Sequence, residues 1–340
     1  MNQAEVITDI RKRMGGRLAI LAHHYESDAI VRHADILGDS LELARKIDGL
    51  DAEHIVFCGV HFMAETAAIL ARPEQKVHIP DESAGCVMAN MVPADLANVV
   101  ITRLKRTGAR IIPLTYVNSS AAVKAICGRH GGSVCTSANA ATMLRWALDE
   151  GDGVLFMPDA NLGRNTARSL GLHITETAFL DVSHGGRLVE PADPTTRLYL
   201  WPGLCAVHAK FHATQIEAAR AAEPTAQILV HPECDPSVVE VADGAGSTSY
   251  LIKKVAELPA GSVIYVGTEW NLVNRLAQRH PDKIIRPLRQ ALCSNMGKIT
   301  EDKLAQTLRG LDTDRPVRVS EDIAAPARLA LERMLNACRQ

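Results

Sequence analysis

Three single cysteines, Cys86, Cys205 and Cys293, close three matching blocks of the chain, and their spacing bears on chemistry more directly than any local motif. A deprotonated cysteine sulfur is a soft metal ligand. Three of them gathered at one point would hold a metal centre. The first strand of each block also ends in hydrogen-bonding side chains: His23, His24 and Tyr25, then Tyr116 and Asn118, then His231 and Glu233. The histidines, tyrosines and glutamate among them are the groups able to exchange protons with a ligand. A small-polar turn follows in each block, Gly38-Asp39-Ser40, Cys135-Thr136-Ser137 or Gly246-Ser247-Thr248. There the hydroxyls of Ser40, Ser137 and Thr248 are placed to cap a helix N-terminus, where free N–H groups and the helix dipole favour an anion. Three such turns around one axis make an anion pocket built mainly from neutral groups. A small acid with several carboxylates, or a phosphate, is the matching ligand.

A closed zinc site usually takes closely spaced ligand pairs and adds a histidine to three cysteines. One widely spaced cysteine per block instead suits a cubane iron-sulfur cluster clamped by three protein thiolates. Its fourth iron then lacks a protein thiolate and is free to act as a Lewis acid toward a hydroxyl or carboxylate. Of the remaining cysteines, Cys58 lies in an apolar strand and reads as core, as an uncharged thiol packs like a small hydrophobe. Cys127, Cys135 and Cys338 read as structural. Cys234 follows Glu233 and is the main rival ligand. His61 is expected near the same rim but outside direct contact, its block equivalents being Asp159 and Thr268 or Glu269.

To bring these residues together, the elements between them must repeat. Each block shows an apolar strand and helix (Ile55 to Leu70, Val154 to Leu170, Val263 to Arg279), then a last short strand, then the cysteine. The count from His23 to Cys86 is 63 residues and from His231 to Cys293 it is 62, against 89 from Tyr116 to Cys205. The difference marks an extra segment in the middle block, near residues 171–197, rich in turn formers and expected as a surface loop or small hairpin. Repetition on this scale means one supersecondary unit used three times. Strands without polar alternation, separated by helices, are the pattern of parallel sheets covered on both faces. The expected fold is therefore α/β: three homologous three-layer α/β/α units with parallel sheets, arranged around a pseudo-threefold axis. The units are expected at 1–92, 93–207 and 208–340, the last including two C-terminal helices. In such sheets ligands bind beyond the carboxyl ends of the strands, where all these residues fall.

Composition limits the alternatives. With 37 basic and 39 acidic residues in a chain of 340, nothing suggests a nucleic-acid surface or a polybasic membrane patch. No segment approaches the ~20 apolar residues that span a bilayer. Eight cysteines without a Cys-x-x-Cys pair do not form a secreted disulfide framework, so the chain is expected in the cytoplasm with its thiols reduced.

These stretches together resemble the quinolinate synthases, iron-sulfur enzymes of NAD biosynthesis. The similarity runs from residue 21 to 296 through Leu21-Ala22-His23-His24-Tyr25, Gly38-Asp39-Ser40, Gly59-Val60-His61-Phe62-Met63-Ala64-Glu65-Thr66, Cys86-Val87-Met88-Ala89-Asn90-Met91, Tyr116-Val117-Asn118-Ser119, Thr136-Ser137-Ala138-Asn139-Ala140, Cys205-Ala206-Val207-His208, His231-Pro232-Glu233-Cys234, Gly246-Ser247-Thr248-Ser249, and Cys293 with Met296. The resemblance implies a [4Fe-4S] cluster on Cys86, Cys205 and Cys293. It implies condensation of iminoaspartate with dihydroxyacetone phosphate to quinolinate, with loss of phosphate and two waters, and a functional link to an L-aspartate oxidase. It further places substrate and catalytic roles on His23, Tyr25, Ser40, Tyr116, Asn118, Ser137, His208, His231, Glu233, Ser247 and Thr248. Some relatives carry a late Cys-x-x-Cys-x-x-Cys run, whereas Cys293 stands alone here, so no regulatory disulfide is expected beside it. Two rival readings keep the same residues: a zinc-dependent hydrolase, and a non-catalytic protein that binds small diacids.

Overall fold

The computed structural model describes residues 2–47, 49–106, 108–188 and 193–338. Its first sheet holds β1 (Leu18–His23), β2 (Ile36–Gly38), β3 (His54–Cys58) and β4 (Lys76–His78), all parallel, in the order β2-β1-β3-β4. The helices α1 (Gln3–Met14), α2 (Asp28–Val31), α3 (Ser40–Ile47) and α4 (His61–Leu70) accompany it, and the short α5 (Val87–Asn90) follows Cys86. After α6 (Ala94–Lys105) the pattern repeats with β5 (Ile111–Tyr116), α7 (Ala121–Arg129), β6 (Ser133–Cys135), α8 (Ala140–Glu150), β7 (Gly153–Met157) and α9 (Ala160–Ser169). Then come β8 (Thr177–Asp181), β9 (Arg187–Leu188) and β10 (Leu198–Leu200), giving the order β6-β5-β7-β10-β8-β9.

The third repeat starts with α10 (Ala213–Ala222), β11 (Gln227–Val230), α11 (Pro236–Val241) and β12 (Gly244–Ala245). It is completed by α12 (Thr248–Glu257), β13 (Val263–Gly267), α13 (Trp270–Arg279) and β14 (Ile284–Pro287). Its order, β12-β11-β13-β14, reproduces that of the first sheet, and the middle sheet follows the same order before its two added strands. The α/β class and the three parallel sheets are as the sequence reading expects.

Every residue of β1, β3, β5 and β7 is buried, which is why their sequences show no polar alternation. In β11 successive side chains divide between two small cores. Ile228 and Val230 pack with Phe211, Ile216 and Val238 on one face, and Leu229 with Leu251, Val266 and Leu272 on the other. Both faces of this sheet are thus covered by helices. Among the described residues, no helix is long and apolar enough to cross a membrane.

Of the two forms expected for the extra segment of the middle block, the structure shows the small hairpin, joined to the sheet. Strand β8 adds to the sheet in parallel beside β10, and β9 turns back on β8 as an antiparallel hairpin, with Leu180 opposite Leu188. Arg103 of α6 donates to the carbonyls of His184 and Gly185 and ties the hairpin down. Residues 189–192, part of the expected turn-rich run, lie outside the described residues.

The last two helices do not stay beside the third sheet. Helix α14 (Glu301–Arg309) packs against α1, and α15 (Glu321–Ala337) packs along α7 and β6. The contact with α7 is close because Gly128 has no side chain: a Cβ there would stand 1.8 Å from the carbonyl oxygen of Pro326. Backbone on both sides leaves nothing flexible to yield. Gly128→Ala should therefore lower unfolding stability by about 3 kcal/mol, read as a shifted denaturant midpoint. A loss under about 0.5 kcal/mol, the level of neutral surface changes, would show that α15 is not seated this way.

Candidate functional site

The carboxyl ends of β1, β5 and β11 open on one cleft. Its wall includes His23, Tyr25, Ser40, Tyr116, Asn118, Ser137, His231, Glu233 and Thr248, together with all three cysteines, Cys86, Cys205 and Cys293. Two residues carried over by resemblance stand behind the wall: His208 is fully buried, and Ser247 is buried as the N-cap of α12, accepting from the Tyr250 N–H at 3.2 Å. His61 opens α4 and is not on the wall, although the adjacent Phe62 and Met63 are. Cys234 is enclosed in the core beneath β11 with Val230 and Val238 and also does not line the cleft, so the rival ligand falls away.

The expectation that Ser40 and Ser137 cap their helices is corrected. Asp39 caps α3, its Oδ1 accepting from the N–H groups of Leu41 and Glu42, both at 3.0 Å. Asn139 holds the N-cap position of α8 and accepts from the Thr136 N–H at 2.7 Å. Asp39 beside Ser40 takes the cap of α3, Asn139 two residues past Ser137 holds the N-cap position of α8 without bonding a helix N–H, and Ser40 and Ser137 line the cleft. Thr248, just inside α12, likewise faces the cleft.

Each strand-end loop is held by a helix from another repeat. From α4, Glu65 accepts the Ala121 N–H at the start of α7, just past the Tyr116–Ser119 loop. From α9, Asn165 donates to the carbonyls of Pro232 and Cys234 at 2.8 and 2.9 Å, and Asn161 to that of Glu233 at 3.3 Å. From α13, Asn271 donates to the Tyr25 carbonyl at 3.0 Å, while Arg275 donates to those of His24 and Glu26. First repeat holds second, second holds third, and third holds first. The loops carrying the reactive side chains are thereby fixed against one another.

Burial governs the protonation of these groups. In both His-x-Tyr and His-x-Glu loops the histidine Nδ1 accepts the N–H two residues on, at 3.1 Å for His23 and 3.3 Å for His231. Both imidazoles are consequently neutral with the proton on Nε2, and burial pushes each pKa down to about 3. Burial also raises the phenols of Tyr25 and Tyr116, and the nearby Glu233 carboxylate raises both further. For Glu233 burial acts upward too, but His208, His231 and the Tyr116 hydroxyl outweigh it and hold the carboxyl at about 2. With His231 neutral, His208 is the partner that matters. Its Nδ1 lies 2.5 Å from Glu233 Oε2, a close approach in which the N–H direction is off the line to the oxygen. At neutral pH the cleft presents one carboxylate base and two phenolic acids.

Sequence reasoning missed Lys210 and named three other residues only as block equivalents of His61, with no role assigned. Asp159 and Glu269 are buried N-caps of α9 and α13, bonding the N–H of Leu162 and of Asn271. Glu269 also accepts the Cys293 N–H at 3.3 Å, and the Asp159 carboxyl lies near the Cys205 backbone. Burial raises both carboxyls, that of Glu269 to about 7. An acidic residue at a helix start was the available signal. Thr268, fully buried, lies 2.8 Å from Tyr25 Oη and 3.1 Å from His208 Nε2. Lys210 is the only lysine or arginine on the wall among the described residues.

The cysteines share one local geometry. The sulfur of Cys86 accepts from the N–H groups of Met88 and Ala89, that of Cys205 from Val207 and His208, and that of Cys293 from Asn295 and Met296. Burial raises all three thiols, Cys86 to about 12, so none is a free nucleophile at neutral pH. Paired N–H groups at every sulfur suit thiolates whose protons a metal has displaced. In addition, donor atoms of Cys205, His208 and Glu233 lie within 4.8 Å of one another. Two polar atoms in the cleft, Asn118 Oδ1 and Thr136 Oγ1, are buried without a protein partner, as expected where a polar ligand binds.

Fold and site together define a three-sheet α/β protein with three cysteines and several proton-exchanging side chains gathered on one cleft. The family model described as quinolinate synthetase A protein matches residues 5–336, and the chain belongs to that family. It is 45% identical over 338 residues to a quinolinate synthase of Bacillus pumilus, covering 97% of this chain and 91% of the relative. Identity is 43% to that of Corynebacterium glutamicum and 42% to that of Bacillus subtilis, again over 97% of this chain and over 86% and 92% of those proteins.

Proposed function

We propose that this protein condenses iminoaspartate with dihydroxyacetone phosphate to quinolinate, releasing phosphate and two waters, as a step of NAD biosynthesis. The observation that carries the reading is the meeting of three cysteines from three repeats in one cleft with hydroxyl, amide, phenol and carboxylate groups. Family membership supports it.

In this reading the units 1–92, 93–207 and 208–340 each give one ligand, Cys86, Cys205 and Cys293, to a [4Fe-4S] cluster. When bound, the cluster offers an iron without a protein thiolate as a Lewis acid for the loss of water. Ser40, Ser137, Asn118 and Thr248 bind the carboxylates and phosphate, and Ser247 fixes the start of α12 beneath Thr248. Glu233, kept ionised, removes protons during tautomerisation. Tyr25 and Tyr116, kept as phenols, return protons to departing oxygens. His23 and His231, held as Nε2–H tautomers, donate hydrogen bonds without adding charge, and His208 fixes the Glu233 carboxylate. The cytoplasm is the matching compartment because it keeps the thiols reduced. An L-aspartate oxidase is the fitting source of the short-lived imine.

Anaerobically purified protein, supplied with dihydroxyacetone phosphate and freshly generated imine, should form quinolinate and inorganic phosphate in equal amounts. Protein with a full iron and sulfide content that makes neither would defeat the proposal.

A further inference from the structure

Lys124 lies on α7 with its side chain fully buried, yet it does not line the cleft. Taking an ammonium out of water is costly unless other groups meet its charge. Three groups do so here. Its Nζ donates to the Ser119 carbonyl, stands 5.3 Å from the centre of the Phe62 ring, and is attracted by the Glu65 carboxylate. Burial pushes its pKa down to about 8 against the pull of Glu65, so the ammonium form prevails at neutral pH.

What the charge holds is a short turn between the cleft and α7. Asn118 is on the cleft wall, Ala121 opens the helix, and Ser119 and Ser120 join them. Lys124 takes the carbonyl of Ser119, and Glu65 takes the N–H of Ala121 at 3.0 Å. A cation thus grips an acceptor of the turn and an anion a donor, each more strongly than a neutral partner would. The pair also spans two repeats, Glu65 standing on α4 and Lys124 on α7. At the other end the Val117 N–H donates to the Cys135 carbonyl at 2.7 Å, which ties the segment to the neighbouring strand. Between these anchors stands Asn118, whose buried Oδ1 has no protein partner. Its amide is therefore placed by the backbone on either side of it.

We infer that Lys124 is a positioning residue for ligand binding: together with Glu65 it fixes the Ser119–Ala121 turn and so the place of the Asn118 amide on the cleft wall. The inference rests on the proposed function above, in which Asn118 holds a carboxylate or the phosphate. Asn118 binds and exchanges no proton. Loss of its support should therefore fall on KM and spare kcat.

The test uses Lys124→Met, which keeps the length of the side chain and removes its charge and its donors. An apolar group suits the buried space, and water reaches the half-buried Glu65 left behind, so the variant should fold and keep its iron and sulfide. Asn118→Ala shows, by its raised KM, which of the two substrates the amide holds. Lys124→Met should raise the KM of that same substrate about tenfold, the scale of one hydrogen bond to a charged group, with kcat within about threefold. Added to Asn118→Ala, it should cost less than about threefold more, because one interaction is removed twice. Hydrogen exchange over residues 116–121 should be at least about tenfold faster in Lys124→Met than in wild type. Should methionine disturb the fold or the metal content, Lys124→Gln, polar and too short to replace the ammonium, carries the same comparison. An unchanged KM, a loss confined to kcat, or multiplied losses in the double variant would each overturn the inference. Exchange needs no turnover, so the two readings fail separately: wild-type protein that forms no quinolinate would refute the proposed reaction, and exchange as slow in the variant as in wild type would refute the positioning.

Discussion

Alanine in place of any one of Cys86, Cys205 or Cys293 should leave a folded protein with under about a tenth of the wild-type iron and no measurable quinolinate formation, since a cubane cluster bound by three thiolates has no spare protein ligand. The surroundings make compensation improbable on physical grounds. Each sulfur sits on a turn that directs two N–H groups at it, and no other cysteine lines the cleft among the described residues. Cys234→Ala is the control. That thiol is closed into the core beneath β11, so its loss should cost stability and leave metal and turnover in place. Iron retained in all three ligand variants, or lost equally in Cys234→Ala, would contradict the assignment. Circular dichroism separates loss of metal from loss of fold.

Glu233→Gln should reduce kcat by ~10²–10⁴-fold, the usual contribution of a general base, while the iron content stays intact. The amide keeps the size of the side chain but cannot take a proton, and it faces His208 Nδ1 with a neutral oxygen or an N–H instead of a carboxylate. The pH dependence carries a second check. Glu233 acts in its deprotonated form, which is lost only as pH falls toward about 2, and the phenols act in their protonated form, which burial preserves above their ordinary range. Hence kcat should be flat across roughly pH 6–8.5 as far as these groups set it. A steep limb near neutrality that persists in Glu233→Gln would assign the base elsewhere, as would a variant turning over at more than about a tenth of the wild-type rate.

Much of this arrangement was legible because the chain repeats itself. The nearly equal distances from His23 to Cys86 and from His231 to Cys293 mark equivalent positions, and the mainly apolar β1, β3, β5 and β7, without polar alternation, announce covered parallel sheets. What escaped depends on contacts across the repeats. Gly38-Asp39-Ser40 contains two good capping residues in succession, and propensity alone does not choose between them; the geometry gives the cap to Asp39 and the cleft to Ser40. The same ambiguity lies between Ser137 and Asn139. Thr268, Asp159 and Glu269 look like ordinary strand-end and cap residues until the cysteines and Tyr25 approach them from elsewhere in the chain. Residue type did not separate Cys234 from Cys293; the repeat spacing favoured Cys293, and the structure puts Cys293 on the cleft and Cys234 in the core. The seating of α15 on α7 through Gly128 was equally hidden, since a glycine inside a helix shows no partner until one arrives.

Iron and acid-labile sulfide, counted per chain on protein purified without oxygen and paired with Mössbauer spectra, test the whole account most directly. It predicts about four of each in wild-type protein, with one iron distinguishable from the other three. Colourless protein carrying stoichiometric zinc, or no metal, at full activity would contradict it.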